Sequence, residues 1–226
     1  MRVYAVNCDP GRGERLKAAA APLNLDIVLV QSPLKDDPEV LRRGATCFER
    51  GTSYPTGCAA TLGHIRCMQA LVDSGDPLAI IIEDDVRFHK DFNRLIEAVI
   101  PHMLSGTTDI LSLGYINIPS GQWSEVGGEY LIRNVGVSNP WGAQCYMITR
   151  EWAAKFCKVF EVEDVSIPYQ SHFVTDWVMF DTVLGVRRDT FVYPIAIESP
   201  DEQSIAAFNQ GKPDLFQYIN ANDFYL

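Results

Sequence analysis

The sequence predicts an α/β protein whose central sheet is mostly parallel and carries helices on both faces. Strand-like and helix-like segments follow one another along most of the chain. The segment Leu78–Ile82 is apolar without alternation, which is typical of a strand covered on both sides. With 226 residues, 47% of them apolar, the chain can bury one large core, so we expect a single domain over residues 1–226.

The first strand, Arg2–Asn7, leads through a glycine-containing turn into a helical segment. Backbone N–H groups and guanidinium groups at such a turn can meet an anionic ligand. The glycine spacing matches neither the dinucleotide-binding pattern nor a P-loop, so neither a dinucleotide-binding fold nor an NTPase is indicated. For the two arginines, a solvated helix face is the competing interpretation. The candidate ligand-binding residues are Asn7, Asp9, Arg12 and Arg15.

A second strand is predicted at Ile27–Gln31. The polar stretch after it, up to Pro55, predicts a long loop with a short helix at Glu39–Arg43.

The clearest helix is Thr56–Ser74, in which apolar residues recur at helical spacing. Thr56 can cap its start, and Gly75 ends it. His64 lies among apolar residues of this helix. It is either a hydrogen-bonded core histidine or a residue that orients a ligand.

Three carboxylates, Glu83, Asp84 and Asp85, directly follow the buried strand. Adjacent like charges repel, and hard cations such as Mn²⁺ or Mg²⁺ bind carboxylate oxygens while sharing their other positions with phosphates. Ligands of open α/β sheets bind at the carboxyl ends of strands. This acidic triplet therefore predicts a metal and diphosphate site. The competing interpretation is a solvated loop or a helix N-terminus, where negative charge is favourable.

The second half of the chain continues the alternation of elements. The excursion in its middle is rich in Gly, Asn and Ser with isolated aromatic residues, the kind of element that closes over a substrate. The predicted elements are a helix at Asp91–Leu104 interrupted near Pro101, a strand at Asp109–Gly114, an irregular excursion with a hairpin at Tyr115–Asn139, a strand at Ala143–Ile148, a helix at Arg150–Phe160 capped by Thr149, and a strand at Phe191–Ile197.

Asp176 lies between two apolar runs at the start of a predicted helix. A carboxylate in such a partly desolvated place gains basicity, which suits a general base. The competing interpretation is a helix N-cap. Other carboxylates that could supply the base are Asp181, Glu198 and Asp201.

Composition restricts the partners and the compartment. The net charge of −10 and the pI near 4.8 argue against a nucleic-acid surface. No apolar run approaches the ~18–20 residues that cross a bilayer, and the chain opens on a strand-like segment without a signal-peptide pattern. The six dispersed cysteines, without a C-x-x-C pair, favour free thiols. We therefore expect a cytoplasmic protein without a transmembrane segment.

A set of segments that runs nearly end to end carries a resemblance to a known family. The segments are VYAVNCDPGRGERL, GCAATLGHIRCMQAL, IIIEDDVRFHKDF, WGAQCYMITREWAAKF, TDWVMFD and VYPIAIESPDEQSI. In this order they resemble glycosyltransferase family 25, which includes bacterial lipooligosaccharide galactosyltransferases and collagen hydroxylysine galactosyltransferases. The chain departs from the family at Gly63, where Ser is usual, and at Cys8, where Leu follows the asparagine.

The resemblance implies a GT-A type fold, a nucleotide-sugar donor, a divalent metal and inversion at the anomeric carbon. Asp85, helped by Glu83 or Asp84, would hold Mn²⁺ or Mg²⁺ against the departing diphosphate. Asp176 would take the proton of the acceptor hydroxyl. The expected donor is UDP-galactose or UDP-glucose, and the expected acceptor is a glycan, a lipid-linked sugar or a hydroxylated protein. A lipid-linked acceptor would bring the protein to a membrane surface.

Two other functions compete with a transferase. A catalytically inactive nucleotide-sugar or metal-binding module would keep the fold and use the acidic triplet for a structural cation. A metal-dependent phosphohydrolase also places acids at strand ends, but the sequence offers no convincing aspartyl nucleophile with a phosphate-clamping lysine. The intact acidic triplet together with Asp176 favours the transferase.

Overall fold

The computed structural model of the chain describes residues 1–49, 51, 54–115, 121–133, 142–161, 175–179 and 185–198. The strands are β1 (Arg2–Asn7), β2 (Asp26–Gln31), β3 (Leu78–Glu83), β4 (Val86–Phe88), β5 (Ile110–Gly114), β6 (Gln122–Val126), β7 (Glu129–Arg133), β8 (Cys145–Thr149), β9 (Arg188–Phe191) and β10 (Ala196–Glu198). The helices are α1 (Pro10–Ala20), α2 (Pro38–Glu49), α3 (Pro55–Ser74), α4 (Phe92–Leu104), α5 (Arg150–Glu161) and α6 (Thr175–Met179).

Within the described residues, the central sheet has eight strands in the order β2-β1-β3-β8-β5-β9-β7-β6. β1 pairs in parallel with β2 and β3, and β5 pairs in parallel with β9. β8 is antiparallel to β3 and β5, and β7 is antiparallel to β9 and β6. Of the strands that the structure describes in this sheet, only β7 and β8 therefore run against the others, which confirms the predicted mostly parallel sheet. β4 and β10 form a separate antiparallel pair.

Helices cover both faces of the sheet, as predicted. Neighbouring residues of a strand point to opposite faces, so Tyr4 and Ile81 join one core while Val3 and Ile80 join the other. The first core contains apolar side chains of α2, α3 and α5. The second contains those of α1 and α4. Each strand end at the carboxyl edge of the sheet therefore lies between two helical layers.

α2 is longer than the helix predicted for Glu39–Arg43, and the predicted long loop is wrong to that extent. Asp37 Oδ1 accepts a hydrogen bond from Glu39 N at 2.9 Å, and Pro38 occupies the first turn. Val40 is fully buried, and Cys58 Sγ of α3 donates to its carbonyl oxygen at 3.6 Å. Burial of this one face against α3 stabilises a helix whose overall composition is polar.

Two predicted helix details are also wrong. Tyr54, not Thr56, precedes the first residue of α3, and its side chain makes no capping hydrogen bond. α4 continues through Pro101 to its end at Leu104. Pro101 has no N–H to donate within the helix, but its carbonyl oxygen still accepts a hydrogen bond from Ser105 N at 3.0 Å. The predicted end of α3 at Gly75 is confirmed, with a φ of 77°.

The predicted strand Phe191–Ile197 is divided between two sheets. β9 ends at Phe191 in the central sheet, and β10 begins at Ala196 in the small sheet. Between them, Val192 N donates to Tyr130 O at 3.1 Å and Ile195 N donates to Leu113 O at 2.8 Å. The chain therefore changes sheets within this apolar run, which the composition alone does not reveal.

The hairpin of β6 and β7 is the edge of the central sheet rather than a separate cover over a substrate. Gly127 in its turn has a φ of 59° and lies against Ala98 O of α4, so that a side chain would not fit. Arg94 Nη1 of α4 donates to Glu129 Oε1 at 2.8 Å. These contacts attach the hairpin to α4. The flanking parts of the predicted excursion, 116–120 and 134–141, lie outside the described residues.

Candidate active site

The acidic triplet lies at the carboxyl end of β3, between β1 and β8. Glu83 is the last residue of β3, is in register with Val6 of β1, and its backbone N donates to Gln144 O at 2.9 Å. Asp84 and Asp85 then form the turn into β4. This turn is held in place because Phe88 and Phe92 are fully buried after it, with ring centroids 5.0 Å apart.

Arg12 of α1 forms ion pairs with both aspartates of this turn. Its Nη2 lies 2.7 Å from Asp85 Oδ2, and its Nη1 lies 3.4 Å from Asp84 Oδ1. Asp84 Oδ2 also accepts hydrogen bonds from Cys8 N at 2.9 Å and from Cys8 Sγ at 3.3 Å. Arg12 is buried, so the alternative of a solvated helix face is wrong for this residue. The repulsion within the triplet is thus partly relieved by a cation of the chain itself.

Asp85 retains one carboxylate oxygen for a further partner. Its Oδ1 is buried and has no hydrogen-bond partner among the described residues. Burial and the nearby charge of Glu83 raise the pKa of Asp85 to about 7, although Arg12 acts in the opposite direction. Because these effects together disfavour the charged form of Asp85, an additional positive charge beside it would stabilise that form.

Glu83 lies on the other side of the strand, toward α3. Its Oε1 lies 3.4 Å from His64 Nε2, and His64 Nδ1 lies 3.0 Å from Tyr146 Oη. Burial raises the pKa of Glu83 to about 7, and the charges of Asp176 and Asp84 add to the rise. About a third of the Glu83 side chain, 32%, remains exposed. His64 is therefore a buried, hydrogen-bonded core histidine, which confirms one of its two predicted interpretations, and it also contacts a carboxylate of the acidic triplet.

Asp176 is the second residue of α6, so in this helix it is not the N-cap. Its Oδ2 accepts a hydrogen bond from Gly142 N at 3.2 Å. The hydroxyl oxygens of Thr175 and Thr61 lie 3.1 Å apart and connect α6 to α3. The charge of Asp176 also acts on the pKa values of Glu83 and His64. The structure therefore brings Asp176 to the same side of the site as Glu83.

The other residues predicted in the first turn have separate positions. Asp9 is the N-cap of α1, and its Oδ1 accepts from Arg12 N at 3.1 Å. Asn7 is buried beneath α1, where a Cβ atom on Gly13 would lie 2.6 Å from Asn7 Oδ1. Arg15 is exposed on α1. Asn7 and Asp9 thus shape the turn, and Arg15 is the predicted arginine that reaches the surface.

The residues at the end of β3 fit a cation whose coordination a bound ligand completes. Asp85 Oδ1 is a buried oxygen without a hydrogen-bond partner among the described residues, and oxygen atoms are the ligands that Mg²⁺ and Mn²⁺ prefer. Within the described part of the chain, no three His, Cys, Asp or Glu side chains form a metal-binding group. This donor set resembles sites in which one or two carboxylates bind Mg²⁺ and substrate phosphates supply the rest.

The alternative base candidates are only partly described. Glu198 is the last residue of β10 and is paired with Val86, next to Asp85 in sequence. Asp181 and Asp201 lie outside the described residues.

Tyr146 and Arg188 lie beside the candidate site residues His64 and Asp176, and the sequence patterns did not indicate either of them. Tyr146 lies within the apolar run of β8, and Arg188 is buried at the start of β9, where the charge of Asp176 acts on its pKa. An unusual polar residue inside an apolar strand was the available signal for Tyr146. For Arg188 no signal existed, because its neighbours in sequence are polar and its burial arises from the sheet.

No family model matches the chain, and no curated protein matches it. Among solved structures, the chain is similar to a glycosyltransferase involved in the glycosylation of the major capsid of PBCV-1, with 8% identity, coverage of 89% of this chain and 93% of the other, and a TM-score of 0.47. It is also similar to the inositol-1-phosphate CTP transferase from T. maritima, with 11% identity, coverage of 90% and 71%, and a TM-score of 0.39.

No helix in the described part of the chain is both long enough and apolar enough to cross a membrane.

Proposed function

We propose that the protein is a glycosyltransferase that moves a hexose from a nucleotide-sugar to an acceptor hydroxyl, with a divalent cation bound at Asp85. The arrangement at the end of β3 carries the proposal: Arg12 and Asp85 lie on one side of the strand, and Glu83 and Asp176 on the other. Sugar transfer requires positive charge beside the departing diphosphate and a base beside the attacking hydroxyl. The site supplies a candidate group for each.

The α1 side of the site suits the donor diphosphate. Arg12 is held by Asp84 and Asp85, and the exposed Arg15 follows it on the same helix. Mn²⁺ or Mg²⁺ would bind Asp85 through the oxygen that Arg12 does not use. When bound, the cation supplies electrostatic stabilisation of the departing phosphate oxygens.

The α3 side of the site suits the acceptor. Asp176 is our candidate for the general base, because it is half-buried and close enough to Glu83 to raise the pKa of that residue. We assign Glu83 to this side rather than to the metal, because its carboxylate lies at His64 and not at Arg12. Glu83 would then face the acceptor hydroxyl together with Asp176.

The finer features of the proposal are supported by the resemblance to glycosyltransferase family 25. They are UDP-galactose or UDP-glucose as the donor, inversion at the anomeric carbon, and a glycan, lipid-linked or hydroxylated protein acceptor. A cytoplasmic location, with a lipid-linked acceptor as the route to a membrane surface, completes the proposal.

Thermal stability with added ligands tests the donor and the metal together. We expect UDP with Mn²⁺ to raise the Tm more than either alone, because a ligand that binds only the folded state stabilises it by mass action. UDP-galactose, UDP-glucose, GDP and CMP are compared under the same conditions. Release of UDP from the bound donor, with and without sugar acceptors, measures transfer and hydrolysis.

Asp85→Asn and Asp26→Asn form a matched pair of variants for this test. Asp26 is an exposed aspartate at the start of β2. It lies at the amino ends of the parallel strands, whereas Asp85 lies beyond their carboxyl ends. Asp85→Asn should lose the joint effect of UDP and Mn²⁺, and Asp26→Asn should keep it. Binding without any release of UDP would indicate the inactive module. A parent protein that binds no nucleotide would contradict the proposal.

A further inference from the structure

A buried chain of hydrogen bonds connects the core of the protein to Glu83. Tyr146 on β8 contacts His64 Nδ1 on α3 at 3.0 Å, and His64 Nε2 contacts Glu83 Oε1 at 3.4 Å. Tyr146 and His64 are both fully buried, and their rings are stacked with centroids 5.7 Å apart. Glu83, at the other end of the chain, is partly exposed. These hydrogen bonds therefore connect two fully buried side chains to a carboxylate that is partly exposed at the candidate site.

The hydrogen-bond partner of the Tyr146 hydroxyl determines which imidazole nitrogen of His64 carries the proton. In the described structure, the Tyr146 hydroxyl has His64 Nδ1 as its one hydrogen-bond partner. If Nδ1 carried the hydrogen, the buried Tyr146 O–H would have no acceptor, and a buried donor without a partner is costly. If Tyr146 donates to Nδ1, the hydrogen of His64 is on Nε2. It then points at the carboxylate of Glu83, which accepts it.

Burial also keeps the imidazole neutral. Removal from water lowers the pKa of His64 to about 3, against a smaller opposite effect of Asp176. A neutral imidazole has one N–H group, and the group bonded to its other nitrogen determines where that N–H lies. The Tyr146 hydroxyl thus selects one tautomer of His64, and that tautomer offers one donor to Glu83.

We propose that His64, held by Tyr146 as its Nε2–H tautomer, is a positioning residue that fixes the orientation of the Glu83 carboxylate beside Asp176. This inference rests on the proposed function for its catalytic consequence. The Arg12 and Asp85 side of the site has separate contacts. Loss of the His64 donor should therefore lower kcat and leave the KM of the nucleotide-sugar nearly unchanged.

Nitrogen NMR of histidine tests the tautomer without any substrate. The protein is labelled with ¹⁵N-histidine, and the His64 signals are identified by their loss in His64→Gln. We expect a protonated Nε2 and an unprotonated Nδ1 from pH 5.5 to pH 8. Tyr146→Phe should weaken the preference for the Nε2–H tautomer, because the hydroxyl that donates to Nδ1 is lost while Glu83 remains as the acceptor of Nε2–H. A parent signal from Nδ1–H, or a doubly protonated ring, overturns the proposal.

His64→Gln and His64→Leu form the matched pair for the kinetic test. The amide of Gln can present an N–H near the position of Nε2, whereas Leu fills the space without a donor. We expect kcat to fall about 10–100-fold in His64→Leu, the usual effect of losing a group that orients a site residue, and less in His64→Gln. The donor KM should change little in both.

The NMR experiment and the kinetic experiment together distinguish failure of this inference from failure of the proposed function. A parent protein without transfer activity contradicts the proposed function, and the NMR result still decides the tautomer. An active parent with equal kcat in the folded Gln and Leu variants overturns the positioning role. If His64→Leu does not fold, Tyr146→Phe replaces it, because this variant keeps the packed ring and removes only the hydroxyl. Parent-like kcat together with a parent-like tautomer in Tyr146→Phe would overturn the proposal as well.

Discussion

Arg12 Nη2 lies 2.7 Å from Asp85 Oδ2, and both side chains are almost completely buried, with 8% and 12% of their surfaces exposed. The two residues are separated by 73 positions in sequence. Helix α1 therefore delivers a permanent cation to the acidic turn after β3. A divalent cation at this turn would be the second positive charge of the site rather than the first.

Removal of this cation should destabilise the protein in a way that depends on pH. We expect Arg12→Gln to lower the free energy of unfolding by about 3–5 kcal/mol at pH 8, because it leaves buried carboxylates without a partner. The loss should be smaller at pH 5.5, where these groups can bind protons instead. Urea unfolding at the two pH values measures the difference, with Arg15→Gln on the exposed part of α1 as the control. Equal losses of unfolding free energy in Arg12→Gln and Arg15→Gln would contradict a stabilising role of the buried ion pair.

Asp176→Asn separates catalysis from structure at this position. An asparagine can still accept the hydrogen bond from Gly142 N, so the fold should remain intact. As the general base, Asp176 should be needed for proton transfer, and kcat should fall on the order of 10²–10⁴-fold with donor affinity nearly unchanged. Steady-state kinetics with calorimetric binding of UDP provides the measurement. A near-parent kcat would redirect the search to Asp181, Glu198 and Asp201.

The metal-free protein should become less stable as the pH rises from 5 to 8. The pKa values of Glu83 and Asp85 are raised to about 7 in the folded protein, from ordinary values of 4.5 and 3.8. A raised pKa means that the folded state binds the proton more tightly than the unfolded state. The resulting stabilisation is complete below the unfolded pKa values and is lost as the pH passes through about 7.

Thermal unfolding in the presence of a chelator measures this pH dependence. Asp85→Asn should flatten the decrease in Tm, because it removes one of the two titrating groups. Asp26→Asn should keep the decrease of the parent protein. A parent Tm that is constant or rises between pH 5 and pH 8 would show that these two carboxyl groups are not destabilised when charged.

Gly63 should not tolerate a serine in its place. A Cβ atom at Gly63 would lie 2.6 Å from Val6 Cγ1 and 2.8 Å from Ser32 Oγ, which is too close for either neighbour. We expect Gly63→Ser to cost about 1–3 kcal/mol, the usual cost of overpacking a core. Urea unfolding measures the loss, and Ala60→Ser, at a half-buried position of the same helix, reports the general effect of serine in α3. Similar losses in both variants would contradict the steric explanation.

The sequence by itself determined the features that depend only on residues close together in the chain. The apolar run of β3 and the carboxylates after it follow from neighbouring residues, and the predicted position of Glu83, Asp84 and Asp85 at the end of a buried strand is confirmed. The cap of α5 is equally local, because Thr149 Oγ1 accepts from Trp152 N at 3.2 Å within one turn. The end of α3 at Gly75 depends only on the ability of glycine to adopt a positive φ.

Only the tertiary structure decided which of these groups meet. His64 lies between Tyr146 and Glu83, which are 82 and 19 positions away, and their contact depends on how α3 packs on β3 and β8. α2 extends to Glu49 for a similar reason, since its buried face exists only against α3. Local composition and periodicity report the conformation of a segment, whereas ion pairs and buried hydrogen bonds between distant segments depend on the order of the strands and the packing of helices on the sheet. The acidic end of β3 could therefore be predicted from the sequence, and its division into an Arg12 side and a His64 side could not.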